Sequence, residues 1–211
     1  MMQLEPDGAC DRGDGGEPPS YLLDFLGQRH SVGPKHLVAP GPQAEQWARA
    51  AQLALRAPDH GGLRPYRFVI VDDRQRAELA ELFAMGARQR GQGADDVERA
   101  RARAFNGPGL AALVACVRDD VPDVPPHEQW LCVGAALMNF MNALHLMGFG
   151  AKALSGASVS DPAVAGAFCR PGERLATWIV AGHPTRAARA RHTWGDDDSM
   201  SASLGRWVSP S

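Results

Sequence analysis

The chain lacks several features that would fix its class at once. A spanning helix needs about 20 apolar residues. The longest apolar stretch here, 131–147, falls short of that and contains Asn139, Asn142 and His145. It reads as a buried core helix. The N-terminus has no basic segment followed by an apolar run, so no secretory leader is expected. Cysteines are few, and Cys10, Cys116, Cys132 and Cys169 form neither a CxxC pair nor a metal-ligand spacing. A chain of 211 residues needs no disulfide framework, and a reducing cytoplasm is the expected compartment. An excess of one charge is missing too. The net charge of -2, from 22 Lys and Arg against 24 Asp and Glu, gives no electrostatic basis for nucleic acid or an anionic membrane as partner.

Familiar catalytic motifs are also absent. His127-Glu128 begins like a zinc-protease helix, but the second histidine would fall at Leu131. There is no P-loop lysine motif, and Gly148-Phe149-Gly150 lacks the third glycine of a dinucleotide fingerprint. No GxSxG pattern supports a serine nucleophile. Cofactor chemistry is left as the main route to an activity.

What is present fits one globular domain. Hydrophobic residues make up 45% and charged residues 22%, an ordinary balance for a soluble fold. Residues 1–19 are set apart by seven Gly and Pro and by five acidic residues against Arg12. Such a segment cannot offset its ordering entropy, and disorder is expected there. A single domain is then expected over 20–211. Ser20 caps a first helix with Leu22, Phe25 and Leu26 on one face. A second places Ala44, Trp47, Ala48, Ala51 and Leu55 at helical spacing and stops before Pro58. Strand-like runs follow at 68–71, 110–117, 151–155 and 175–181, the second apolar enough to be covered on both faces. Helices are expected over 74–91, 95–104 and 126–147, the last stopped by Gly148. Asp161-Pro162 opens a further short one. From Thr185 the chain is Arg-rich, then acidic, then Ser-rich, and is expected to be extended. The sum is an α+β domain around one long helix.

Three segments together carry a family resemblance. Gln28-Arg29-His30-Ser31 is similar to an Arg-Arg-Ser signature, with His30 in place of the second arginine. Arg56-Ala57-Pro58-Asp59-His60 leads through Pro65-Tyr66 into a strand. Gly148-Phe149-Gly150 runs on to Ala153-Leu154-Ser155-Gly156. Glu128-Gln129 and Ala181-Gly182-His183-Pro184 are supporting pieces. In this order and spacing they resemble the small bacterial members of the nitroreductase family, over residues 21–184.

The resemblance implies a nitroreductase-like fold with a central mixed or antiparallel sheet, a long buried helix and an obligate-type homodimer. It implies FMN as cofactor, NAD(P)H as electron donor and a small electron-poor molecule as acceptor, reduced by two electrons in a ping-pong cycle. Arg29, His30 and Ser31 would meet the phosphate and ribityl chain. An arginine fork and a serine hydroxyl are the donors that phosphate oxygens take. Arg56 and His60 would reach FMN from the other subunit, and Ala153, Leu154 and Ser155 would lie beside the ring. No side chain need act as a catalytic acid or base, because the flavin carries the chemistry.

The chain departs from the family pattern at 153–155. Many small relatives have Trp-Arg-Ser there, so an aromatic wall and a cation are both missing. Arg189, Arg191, His192 and Arg206 are further phosphate candidates. Each motif also has a plain structural reading. Arg29 can complement a helix dipole, Asp59-His60 can hydrogen-bond a loop, and Gly148-Phe149-Gly150 can be a helix cap with a core ring. Met138, Met141 and Met147 read as packing. Two functional alternatives stay open: another flavin reaction on this fold, or a dimeric FMN-binding or flavin-free protein without catalysis.

Overall fold

A computed structural model describes residues 20–189. Seven helices and five strands alternate among them: α1 (Ser20–Gly27), β1 (Leu37–Val38), α2 (Ala44–Ala54), β2 (Tyr66–Ile70), α3 (Asp73–Gln89), α4 (Ala94–Ala102), β3 (Gly109–Ala115), α5 (Pro126–Leu146), β4 (Gly150–Leu154), α6 (Pro162–Phe168), β5 (Arg174–Pro184) and α7 (Arg186–Arg189). The strands run β1-β5-β3-β2, with β4 also paired to β5. Every ladder is antiparallel. The single parallel element is an isolated bridge between Ser31 and Ala151.

β3 explains why the sheet sits in the middle. All seven of its residues are buried. Leu110, Ala112 and Val114 enter one core, with Leu79, Phe83 and Val164 from α3 and α6. Ala111, Leu113 and Ala115 enter the other, with Trp47 of α2 and Phe140 and Leu144 of α5. A strand covered by helices on both faces must be apolar throughout, as its sequence is.

Local signals fix the ends of the helices. α5 begins with Pro126 in its first turn and stops where Gly148 takes φ 85. There Phe149 N–H donates to the Leu144 carbonyl and Gly148 N–H to that of His145, the two bonds of a Schellman cap. Phe149 is buried, so this turn is both a cap and a core contact. The Asp161 carboxylate caps α6 by accepting from Ala163 and Val164 N–H.

Three expectations are corrected. On α2 the buried residues are Trp47, Ala50 and Ala54, whereas Ala44, Ala48 and Leu55 are exposed. α5 is not buried all round: Trp130, Leu131, Met138 and Leu146 are exposed. The chain beyond Thr185 opens with the turn α7 instead of an extended segment. Residues 1–19, including Cys10, and Arg191, His192 and Arg206 lie outside the described residues.

One ion pair ties β2 to the turn before β5. Arg67 donates from Nε and Nη2 to both carboxylate oxygens of Glu173, at 2.9 and 2.6 Å, and from Nη2 to the Phe168 carbonyl. This bidentate hydrogen bonding pulls Glu173 down to about 2 against the opposing effect of burial. A carboxyl that is more acidic folded than unfolded stabilises the fold above its unfolded pKa. That contribution is lost as pH falls through the folded value. Unfolding at a series of pH values should therefore show stability dropping between about pH 4.5 and 2. Glu173→Gln should flatten that part of the profile. An unchanged acid limb in the variant would show that the pair contributes nothing.

Candidate functional site

The segment 28–32 reaches the sheet at β4. α1 ends at Gly27, and the chain becomes extended. Ser31 then bridges Ala151, and Val32 N–H donates to the Ala151 carbonyl at 3.1 Å. Gly150 makes this approach possible, since a Cβ there would lie 2.9 Å from Val32 Cγ2 and 3.0 Å from Leu37 Cδ2. α1 is seated on α5 by His145, whose Nε2 donates to the Phe25 carbonyl at 2.8 Å and whose ring lies 4.7 Å from that of Phe25. The result is a cleft of about 560 Å³, with Gln28, Arg29 and His30 on one wall and Met141, Phe149 and Ala151 on the other. Arg29 has no ion-pair partner among the described residues. Ser31 is exposed beside it.

A second cleft, of about 450 Å³, opens at the other end of β4. Leu154 and Ser155 line it with Phe83, Arg103, Asn106 and Trp178. The 155–158 turn is held by side chains, Ser155 Oγ donating to Thr177 Oγ1 at 3.2 Å and Trp178 Nε1 to Ser158 Oγ at 3.1 Å. Arg103 supplies a cation in a cavity where the sequence at 153–155 had lost one. Sequence reasoning missed it, because Arg103 lies about 50 positions from Leu154, in the turn that follows a charged helix. Its turn is fixed by buried Arg76, which donates to the carbonyls of Ala104, Gly107 and Pro108 at 3.0–3.2 Å. Burial lowers the pKa of that guanidinium.

The strand joining the two clefts presents a usable edge. Antiparallel pairing alternates peptide groups toward and away from the neighbour. The Ala151 carbonyl is taken by Val32 on the outer edge, so the N–H and C=O of Ala153, two residues on, also point away from β5. Between Ala151 and Ser155 the backbone covers about 13 Å at about 3.3 Å per residue.

Arg56 and His60 are not brought to either cleft. Arg56 is exposed and lines a third, open depression with Arg49, Leu53, Leu146 and Met147, on the outer side of α2 and α5. His60 Nδ1 lies 2.8 Å from Glu128 Oε2 at the start of α5. The Asp59 carboxylate accepts from the N–H groups of Leu63 and Arg64, the loop bonding that its sequence suggested. The eight predicted residues thus occupy four places in one chain. Arg29, His30 and Ser31 form one group, Leu154 and Ser155 form another with Ala153 beside them, and Arg56 and His60 stand apart.

Among the described residues no group of three or more His, Cys, Asp or Glu could hold a metal ion. No described helix is long and apolar enough to cross a membrane. Cys132, on the buried face of α5, has its thiol pushed up to about 11 by burial.

Comparison with known proteins gives consistent likenesses. A model of the nitroreductase family matches residues 26–183. Two relatives bear the name "Putative NAD(P)H nitroreductase". One, from Haemophilus influenzae, is 32% identical over 149 residues, covering 70% of this chain and 81% of its own. The other, YdjA of Escherichia coli, is 29% identical over 163 residues, covering 77% and 87%. Among solved structures, a nitroreductase-like protein of Bacillus cereus superposes with a TM-score of 0.72 at 15% identity, over 89% of this chain and 96% of that one. The FMN-dependent nitroreductase NfnB of Mycobacterium smegmatis, solved with NADPH, gives 0.69 at 14% identity over 90% and 99%. The last two likenesses are of fold. With a family model spanning most of the chain from α1 to β5 and a relative above 30% identity, the chain belongs to the nitroreductase family.

Proposed function

We propose that this chain is an FMN-dependent NAD(P)H oxidoreductase that acts as a homodimer and reduces an electron-poor small molecule by two electrons in a ping-pong cycle. The observation that carries this reading is the placement of Arg29, which has no ion-pair partner among the described residues, in a cleft at one end of β4, with Arg103 in a cleft at the other. An elongated ligand with a dianionic end and a flat end that gains negative charge on reduction fits that arrangement. The names of solved neighbours, which are FMN- and NADPH-dependent nitroreductases, support the choice of ligand.

In this reading Arg29 and Ser31 hold the phosphate, with His30 beside them. The outward peptide of Ala153 meets the polar edge of the ring, and Arg103 offsets the charge of the reduced ring from the cleft beyond Leu154 and Ser155. FMN, when bound, supplies the two-electron transfer from the nicotinamide to the acceptor.

The homodimer is supported by apolar surface. Leu131 is 70% exposed and Leu146 46%, with Trp130, Met138, Leu53 and Leu55 around them on α5 and α2. Large apolar side chains left exposed on neighbouring elements mark an interaction site. Arg56 lies in its depression with Leu146, and Glu128 is one helical turn from Leu131. A second copy seated there would bring Arg56 and His60 toward the FMN of its partner.

Arg29→Ala tests the cofactor and its orientation together. Loss of a charge-assisted contact costs about 1.5–3 kcal/mol, so FMN affinity should fall about 10–100-fold. Riboflavin has no phosphate and should lose little. Titration of both ligands against both proteins at fixed salt gives the answer. Unchanged FMN affinity would sink the assignment, and equal losses for the two ligands would move Arg29 from the phosphate to the ring or the fold.

A further inference from the structure

The turn that carries His60 is more tightly determined than an exposed loop requires. Gly61 and Gly62 take φ 74 and 62, and Arg64, which has a Cβ, is held at φ 47. Left-handed backbone at a non-glycine residue is strained and persists only where its surroundings impose it. Here the Asp59 carboxylate imposes it, bonding Leu63 N–H at 3.0 Å and Arg64 N–H at 2.8 Å. Gly61 faces Val124, and the Val124 carbonyl accepts from buried Gln129 of α5 at 2.9 Å. Gln129 also closes two bonds with the Arg118 backbone. The turn, the 118–124 segment and the start of α5 therefore form one braced unit.

His60 projects from that unit with its Nδ1 on Glu128 Oε2 at 2.8 Å. A carboxylate only accepts, so Nδ1 carries the hydrogen. Nε2 has no hydrogen-bond partner among the described residues, in a side chain that is 58% exposed. An exposed pair contributes little to stability. Its geometry instead resembles the way a carboxylate fixes the tautomer and direction of a working imidazole.

We propose that Glu128 is the positioning residue for His60, and that His60 delivers through Nε2 the proton that accompanies electron transfer to the acceptor. This rests on the FMN reading and on the homodimer proposed above, since within one chain His60 lies in neither cleft. The balance requires one proton beyond the hydride equivalent, and His60 is the group proposed to deliver it. A nitro group that takes a hydride equivalent, two electrons and one proton originating from NAD(P)H, needs one further proton to become nitroso and release water. A quinone needs one to become hydroquinone. Imidazolium Nε2–H gives that proton to the anionic oxygen, and water restores it.

The test uses the FMN-loaded protein with nitrofurazone as the probe acceptor and rates expressed per bound FMN. Glu128→Gln should slow the reoxidation half-reaction about 10–100-fold in kcat with little change in KM, and leave flavin reduction by NAD(P)H much less affected. His60→Ala should show a similar loss, be partly rescued by added imidazole, and lose little more when combined with Glu128→Gln. Nitrogen NMR of labelled histidine, recorded where the ring is neutral, should show His60 as the Nδ1–H tautomer in the parent and a mixture in Glu128→Gln. Equal slowing of both half-reactions, absence of imidazole rescue or an unchanged tautomer would overturn the proposal. Failure to take up FMN would overturn the parent reading as well, a result the other outcomes cannot mimic.

Discussion

Phe140→Ala is expected to lower folding stability by about 3–5 kcal/mol, the usual cost of emptying a fully buried phenylalanine site. Phe140 lies in the C-terminal half of α5 and has no exposed surface. Its ring stacks on Phe68 of β2 at 4.1 Å and 10°, and lies 5.7 Å from Trp47 of α2. One side chain thus joins the sheet to both helices of its layer. Neighbours on two separate elements cannot collapse into the space together, so most of the cavity should persist and its cost with it. Phe140→Leu, which keeps more of the volume, should cost less than half as much. Denaturant unfolding of the three proteins measures this, at constant m-value. A loss below about 1 kcal/mol for the alanine variant would mean that this layer repacks freely, which its close-packed rings argue against.

Gly86→Ala should also be strongly destabilising, although alanine is the better helix former by about 1 kcal/mol. A Cβ at Gly86 on α3 would sit 1.8 Å from Asp161 Oδ2. That oxygen cannot simply swing aside. It bonds Arg90 at 2.7 Å, and the other carboxylate oxygen caps α6, in a side chain only 4% exposed. Displacing it removes a helix cap, worth about 0.5–2 kcal/mol. It also separates a largely buried charge from its partner, which costs up to about 3–5 kcal/mol when nothing compensates. Set against the helix gain, a net loss of about 2–4 kcal/mol is expected. Asp161→Asn combined with Gly86→Ala should cost less than the sum of the two changes, because both act on one contact. Strict additivity, or an alanine variant as stable as the parent, would show that α3 shifts away at little cost.

Much of the fold was legible because its signals are local. An apolar run without alternation marks a strand covered on both faces, and β3 is that strand. Gly148 and Asp161-Pro162 announce a helix end and a helix start through the conformation and hydrogen bonds of their own residues. The α2 face was misread for the same kind of reason. Its alanines fit several helical stripes equally well, and only the packing of Trp47, Ala50 and Ala54 on α5 selects one.

The motifs at 28–31, 56–60 and 148–156 determined the family, since their order and chemistry are written in the chain itself. Tertiary structure decided where they stand. Ser31 joins Ala151 because Gly150 leaves room for Val32, a close approach that no residue spacing reveals. Arg103 enters the cleft beside Leu154 because Arg76 binds three carbonyls of its turn. Arg56 is exposed beside apolar side chains left uncovered on α2 and α5, and exposed His60 pairs with Glu128 instead. Residue types and caps act over a few positions and can be read in order. The meeting of distant side chains depends on which faces the sheet buries, and only the folded chain fixes that.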